Sequence, residues 1–122
     1  MSADLTLQEW LESTAELRAK LLAYAQSKIP TDPGARQVDV STALELGQDA
    51  GDMLADLEQH VIDETAKAVM EVRRTDGELT ADERKAVVKS RVSKIARLRD
   101  GMQVVYTSIK DRRFALMNLN RS

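Results

Sequence analysis

The chain has 122 residues, a formal net charge of −2 at pH 7 and no cysteine, which leaves room for one domain and excludes disulfide or thiolate chemistry. No stretch approaches the roughly 18 apolar residues of a membrane span, and the N-terminal residues lack a secretory signal pattern, which favours a cytoplasmic location. Residues 1–72 contain five Lys or Arg against fourteen Asp or Glu, whereas residues 84–122 contain eleven against two, an asymmetry that indicates internal neutralisation or two differently charged partners.

The first predicted helix covers residues 6–29. Thr6 and Glu9 have the spacing of a capping box, in which each side chain bonds to the backbone N–H of the other residue. Pro30 stops the helix because it disfavours the α conformation in the residue before it. Residues 30–39 include two prolines and a glycine, and this composition predicts a loop.

Two longer helices are predicted next, over residues 40–74 and 81–118. Apolar residues recur along both at alternating spacings of three and four, which is typical of coiled-coil-like packing. Gly77 is expected to end the first of these helices in a left-handed turn. Thr80 and Glu83 form a second capping box at the start of the last helix. The short turn makes the two long helices antiparallel.

Residues 1–122 are therefore predicted to form a single all-α domain, a long antiparallel helical hairpin with a shorter N-terminal helix packed on it. Small residues recur every fourth position on two helices, and we expect these rows to dock the first helix on the second: Ala15, Ala19 and Ala23; Ala43, Gly47, Gly51 and Ala55. The far half of the hairpin, around residues 61–92, has no third helix to cover it. We therefore expect the protein to associate with itself as a homo-oligomer.

Basic residues of the hairpin turn and the last helix are candidates for nucleic-acid binding, because outward cations on a long helix can follow a phosphate backbone. The candidates are Arg73, Arg74, Lys85, Lys89, Lys94, Arg97, Lys110 and Arg112. A plain solvated surface is the alternative interpretation. Aromatic residues are scarce, so sequence-specific base recognition is not expected. Four further arginines lie beside the apolar face and should pair with acids such as Glu71: Arg84, Arg91, Arg99 and Arg113.

An acidic stripe on the second helix has three interpretations: a solvated face, a docking surface for a basic partner or another subunit, and a Mg²⁺ site of the kind helical nucleotide hydrolases use. The stripe comprises Glu45, Asp49, Asp52, Asp56 and Asp63. The last helix offers only Asp100 and Asp111, eleven residues apart, which disfavours a metal site. His60, the sole histidine, is expected on the hairpin flank. No nucleophile motif accompanies it, so we predict neither an enzyme nor a cofactor.

The last third of the chain resembles small helical accessory proteins of phage recombination and replication, of the recombination-mediator type. The similarity rests on the charged, capped segment 79–86 and on the Arg-rich last helix, which ends in the segment 116–121. It covers residues 80–122 and identifies no individual functional residue. The resemblance implies an oligomeric, non-enzymatic factor that binds single-stranded DNA. The alternative is an adaptor, chaperone or inhibitor that docks a basic protein on the acidic stripe.

Overall fold

The computed structural model describes residues 6–75 and 79–121. Three helices follow one another: α1 (Leu7–Gln26), α2 (Pro33–Thr75) and α3 (Ala81–Arg121). No strand occurs within these ranges. The all-α fold with a long hairpin and a shorter N-terminal helix is therefore confirmed. The expected left-handed turn at Gly77 lies outside the described residues.

Helix α1 begins as predicted and ends earlier. Thr6 Oγ1 accepts a hydrogen bond from the Glu9 backbone N–H at 3.2 Å, and Glu9 Oε1 accepts one from the Thr6 N–H at 3.4 Å, so the capping box is confirmed. The helix stops at Gln26 rather than at residue 29, because Ser27 is already extended. Its N–H donates to the Tyr24 carbonyl at 3.1 Å and closes the last turn.

Helix α2 begins at Pro33, so the expected loop over residues 30–39 is wrong. Proline suits the first position of a helix because that position needs no N–H donor. Asp32 caps the helix: its Oδ2 accepts from the Ala35 N–H at 2.9 Å and its carbonyl accepts from the Arg36 N–H at 2.9 Å. The loop was predicted because aspartate, proline and glycine are common in turns, but here these residues begin a helix.

Helix α3 runs three residues beyond its predicted end, to Arg121. At its start, Thr80 Oγ1 accepts from the Glu83 N–H at 3.2 Å and the Thr80 carbonyl accepts from the Arg84 N–H at 3.0 Å. Asp82 and Glu83 lie in the first turn, where negative charge favours the helix dipole. The predicted N-cap at Thr80 is confirmed.

The core lies where α1 crosses the open end of the hairpin. Trp10 and Leu21 of α1 are fully buried, as are Leu57 of α2 and Ile109 of α3. Burying an aromatic side chain of 150–250 Å² contributes roughly 4–6 kcal/mol. Near the hairpin turn, the described core consists of hairpin residues such as Ala68 and Val72 of α2.

The glycines of α2 face α3, so the expected docking of α1 on their row is wrong. A Cβ atom at Gly51 would lie 3.2 Å from Tyr106 Cε1, and one at Gly47 would lie 3.5 Å from Ile109 Cγ2. Each glycine in a helix interior costs about 1 kcal/mol relative to alanine. At Gly51 close packing of the Tyr106 ring offsets that cost.

Candidate nucleic-acid interface

Helix α1 covers only one side of the hairpin. The Trp10 indole N–H donates to Asp56 at 3.2 Å and its ring lies 5.6 Å from that of His60, while the Tyr24 hydroxyl donates to Asp39 at 2.9 Å. These contacts place α1 antiparallel to α2. The opposite side of the hairpin carries no α1 residue, and two grooves between α2 and α3 lie there.

The first groove, which we call the tip groove, has a volume of about 550 Å³ and lies near the hairpin turn. Its lining consists of Thr65, Val69, Val72, Arg73, Ala81, Arg84, Lys85, Val88, Lys89 and Val92. The floor is apolar and the rim carries four cations, and none of the described lining residues is acidic. The described lining of this groove therefore favours an anion.

The second groove, which we call the glycine groove, has a volume of about 330 Å³ near the open end of the hairpin. Helix α2 contributes Ala43, Leu44, Gly47, Gln48, Gly51 and Asp52, and α3 contributes Tyr106, Lys110 and Arg113. This groove combines an aromatic ring, two cations and one carboxylate. Its lining thus differs from the aliphatic floor of the tip groove.

Both grooves lie on the same side of the hairpin. Lys89 and Lys110 are 21 residues apart, which is three heptads, so they occupy the same position of a coiled-coil repeat. Gly51 and Thr65 are 14 residues apart, or two heptads. His60 follows Gly51 by nine residues, which is two and a half helical turns, so α1 contacts the opposite side of α2. We call the side with both grooves the open face.

The eight candidate nucleic-acid-binding residues do not form one continuous surface. Arg73, Lys85 and Lys89 line the tip groove, and Lys110 lines the glycine groove. Arg97 lines a third groove of about 390 Å³, between α1 and α3 on the other side of the molecule. The two remaining exposed candidates, Arg74 and Lys94, line none of these grooves.

Arg112 is buried, so the expectation that it projects outward is wrong. Its Nε donates to Asp39 Oδ2 at 2.8 Å, Nη1 donates to the carbonyls of Tyr24 and Ser27 at 3.0 and 2.7 Å, and Nη2 donates to the Lys28 carbonyl at 3.1 Å. The guanidinium also stacks on the Tyr24 ring at 4.3 Å. Arg112 therefore satisfies the carbonyls at the end of α1 and anchors them to α3.

The Tyr24 hydroxyl belongs to the same cluster. Its partial burial and its hydrogen bond to the Asp39 carboxylate raise the pKa of Tyr24 to about 12. The neutral phenol is thus favoured, because only that form donates to Asp39. Sequence reasoning missed Asp39, which was expected at the beginning of α2 and lies well inside it.

Of the four arginines expected to pair with acids, two form an ion pair and two have an Nε atom without a hydrogen-bond partner among the described residues. Arg91 Nη1 contacts Glu71 Oε2 at 2.6 Å, which confirms the expected pairing for that residue, while Arg99 pairs with Asp100 at 3.2 Å. The Nε atoms of Arg84 and Arg113 are buried without a hydrogen-bond partner in the part of the chain that the structure describes. Arg84 lies in the tip groove and Arg113 in the glycine groove. Each groove is therefore lined by an arginine whose Nε has no hydrogen-bond partner among the described residues.

The acidic stripe is only partly available to a partner. Glu45, Asp52 and Asp63 are exposed, and Asp49 is half-buried. Asp56 is half-buried and accepts the Trp10 indole N–H, so it is less open to a partner than the exposed carboxylates, and its partner-binding role stays a prediction. Within residues 6–75 and 79–121, the side chains of Glu45, Asp49 and Asp52 form no ion pair.

His60 is buried against Trp10, so its expected place on the exposed flank is wrong. The indole of α1 covers it, which the spacing along α2 alone does not reveal. In the described ranges no three acidic or histidine side chains are grouped closely enough to hold a metal ion. None of the described helices has both the length and the apolar character needed to cross a bilayer.

Comparison with known proteins finds no matching family model, curated protein or solved structure.

Proposed function

We propose that this chain is a non-enzymatic, homo-oligomeric accessory protein that binds single-stranded DNA through its open face, in recombination or replication. The observation that carries the proposal is the shared orientation of Arg73, Lys85, Lys89 and Lys110. All four line the grooves of the open face, and none forms an ion pair among the described residues.

The geometry suits a phosphate backbone. Lys89 and Lys110 are separated by 21 residues of one helix, or about 30 Å at 1.5 Å per residue, so an extended strand can contact both grooves. Binding of this kind is electrostatic, releases counterions and does not depend on base sequence. The resemblance of residues 80–122 to phage recombination accessory proteins supports the same function. A phage source and a cytoplasmic location are part of the proposal.

Self-association is supported by charge and by uncovered apolar surface. The acidic side of α2, with Glu45 and Asp49, complements the cationic rim of the open face. Ile62 and Met70 of α2 are both more than half exposed. Light scattering tests this part of the proposal: we expect a mass that is a multiple of the protomer, and a strict monomer would contradict it.

A salt titration with a matched control tests nucleic-acid binding. Affinity for a fluorescent oligo(dT) should fall linearly with salt on logarithmic axes, by about 0.7 per phosphate contact. The double variant Lys85→Glu/Lys89→Glu should reduce the slope by about 1.4. Lys94→Glu/Arg97→Glu makes the same change of charge away from the grooves of the open face, and we expect it to retain most of the binding.

Two results would refute nucleic-acid binding by the open face. The first is that wild-type protein fails to bind oligo(dT) even at low salt. The second is that the Lys94→Glu/Arg97→Glu control loses as much affinity as the variant of the tip groove. Circular dichroism of both variants shows whether the helices are intact, since all four positions are exposed.

A second candidate function is a protein–protein adaptor, chaperone or inhibitor that docks a basic partner on α2. The unpaired carboxylates of Glu45, Asp49 and Asp52 favour it. Isothermal titration with a lysine-rich helical peptide tests it. We expect salt-sensitive binding that Glu45→Gln/Asp49→Asn/Asp52→Asn abolishes and Lys85→Glu leaves unchanged. Equal binding by the triple variant would exclude this surface.

A further inference from the structure

We infer that the glycine groove is a subsite for one nucleotide of the single strand, with the base against Tyr106 and the phosphate at Lys110 and Arg113. This inference rests on the proposed function and adds a place where bases, rather than phosphates alone, contribute. It assigns different roles to the two grooves of the open face. The tip groove binds backbone, and the glycine groove binds a nucleotide.

Tyr106 is the only aromatic residue among the lining residues of the two grooves in the described part of the chain. Base–aromatic stacking is how single-strand-binding proteins gain affinity without sequence preference. The Tyr106 ring packs closely against Gly51, where a Cβ atom would lie only 3.2 Å from Cε1, so the absence of a side chain there makes room for the ring. The groove therefore presents a positioned aromatic ring that is partly exposed.

Gly47 supplies an independent observation. A methyl group at this position would meet Ile109 Cγ2 at 3.5 Å, an ordinary van der Waals contact, so packing against α3 does not require glycine here. Glycine nevertheless destabilises a helix interior relative to alanine. Glycine at position 47 instead keeps the groove open. The groove has a volume of about 330 Å³, which lies within the range of small-molecule sites.

The polar groups of the groove match the two ends of a nucleotide. Lys110 and Arg113 are one turn apart on α3, and the Arg113 Nε is buried without a hydrogen-bond partner in the described residues. A phosphate oxygen would accept from both cations. Across the groove, Gln48 can donate to or accept from a base edge.

Comparison of a normal and an abasic strand tests the subsite. Oligo(dT) and a deoxyribose-phosphate oligomer of the same length and charge are titrated against the full-length protein by fluorescence anisotropy. Wild-type protein should bind oligo(dT) about 5- to 150-fold more tightly. Tyr106→Leu should remove this preference while leaving affinity for the abasic strand unchanged, and Tyr106→Phe should retain it.

A pair of glycine variants checks the groove without altering Tyr106. Gly47→Ala places a methyl group in the groove and should lower the preference for oligo(dT) at least threefold. Gly101→Ala is the matched control, since nothing lies within 4 Å of a Cβ atom there and the position faces the groove beside α1. It should leave the preference unchanged.

The possible results separate the two proposals. Equal affinity of wild-type protein for both strands would overturn the nucleotide subsite and leave phosphate binding by the open face intact. Binding of neither strand at low salt would overturn both. If Tyr106→Leu is poorly folded, the two-dimensional NMR spectrum of wild-type protein with thymidine monophosphate decides. Shifts of the Gly47 and Gly51 amides support the subsite, and their absence refutes it.

Discussion

Removing the Arg112 guanidinium should destabilise the fold more than any change to an exposed cation. The Arg112 and Asp39 side chains are only 7% and 11% exposed, and their ion pair joins α3 to α2. Arg112→Met keeps most of the aliphatic volume and removes every donor. It leaves the Asp39 carboxylate buried without its ion partner, together with carbonyls at the end of α1.

The expected loss is large relative to the stability of a small domain. Breaking a buried ion pair by removing one partner costs about 3–5 kcal/mol, because the remaining charge stays buried. Total stabilities of such domains are about 5–15 kcal/mol. Arg112→Met should therefore lower the free energy of unfolding by about 3–5 kcal/mol. Arg97→Met, which removes an exposed arginine of the same helix, should change it by less than about 0.5 kcal/mol.

Urea unfolding measures both variants. Circular dichroism reports the helices, and the fluorescence of the single tryptophan, Trp10, reports the docking of α1. Because Arg112 joins the end of α1 to α3, we expect the Trp10 transition of Arg112→Met to precede the loss of helix. A decrease of less than 1 kcal/mol, or equal effects of Arg112→Met and Arg97→Met, would refute the anchoring role.

Three further outcomes follow from individual contacts. The free energy of unfolding should fall as the pH rises from 10 to about 12, because the pKa of Tyr24 is near 10 in the unfolded chain and about 12 in the fold. Urea titrations at several pH values measure this fall, and Tyr24→Phe should not show it. Asp32→Ala should cost about 1 kcal/mol by removing the N-cap of α2, measured in the same way. Asp52→Asn should raise oligo(dT) affinity about two- to fivefold at low salt, and unchanged affinity would exclude the glycine groove from the strand's path.

The helices were predictable because their signals are local. The capping boxes at Thr6 and Thr80 involve residues three apart in sequence, and the three-and-four spacing of apolar residues marks helix faces without knowledge of the fold. The start of α2 was not predictable in this way. Asp32, Pro33 and Gly34 are turn formers by composition, and only the observed bond from the Ala35 N–H shows that they begin a helix.

The position of Arg112 was mispredicted for a geometric reason. A projection at 100° per residue drifts by about 20° per heptad relative to helices that wind around each other. Arg112 lies more than four heptads from the start of α3, so the error there reaches about 80–90°. That is enough to turn a residue predicted on the surface toward the core. The glycines of α2 were misassigned for a similar reason. Their spacing identifies a helix face that lacks side chains, but it does not identify which helix packs on that face.

The uneven charge of the chain links self-association to nucleic-acid binding. Among the described residues, Arg73, Lys85, Lys89 and Lys110 of the open face and Glu45, Asp49 and Asp52 of α2 form no ion pair, so both groups are available between subunits. If the carboxylates of one subunit, such as Glu45 and Asp49, neutralise Lys85 and Lys89 of another, a phosphate backbone must displace them. The two interactions would then compete for the same cations and weaken together as salt rises. The salt dependence of the oligomer, measured with and without oligo(dT), therefore tests this competition. If oligo(dT) dissociates the oligomer, the DNA strand and the neighbouring subunit bind the same cations of the open face.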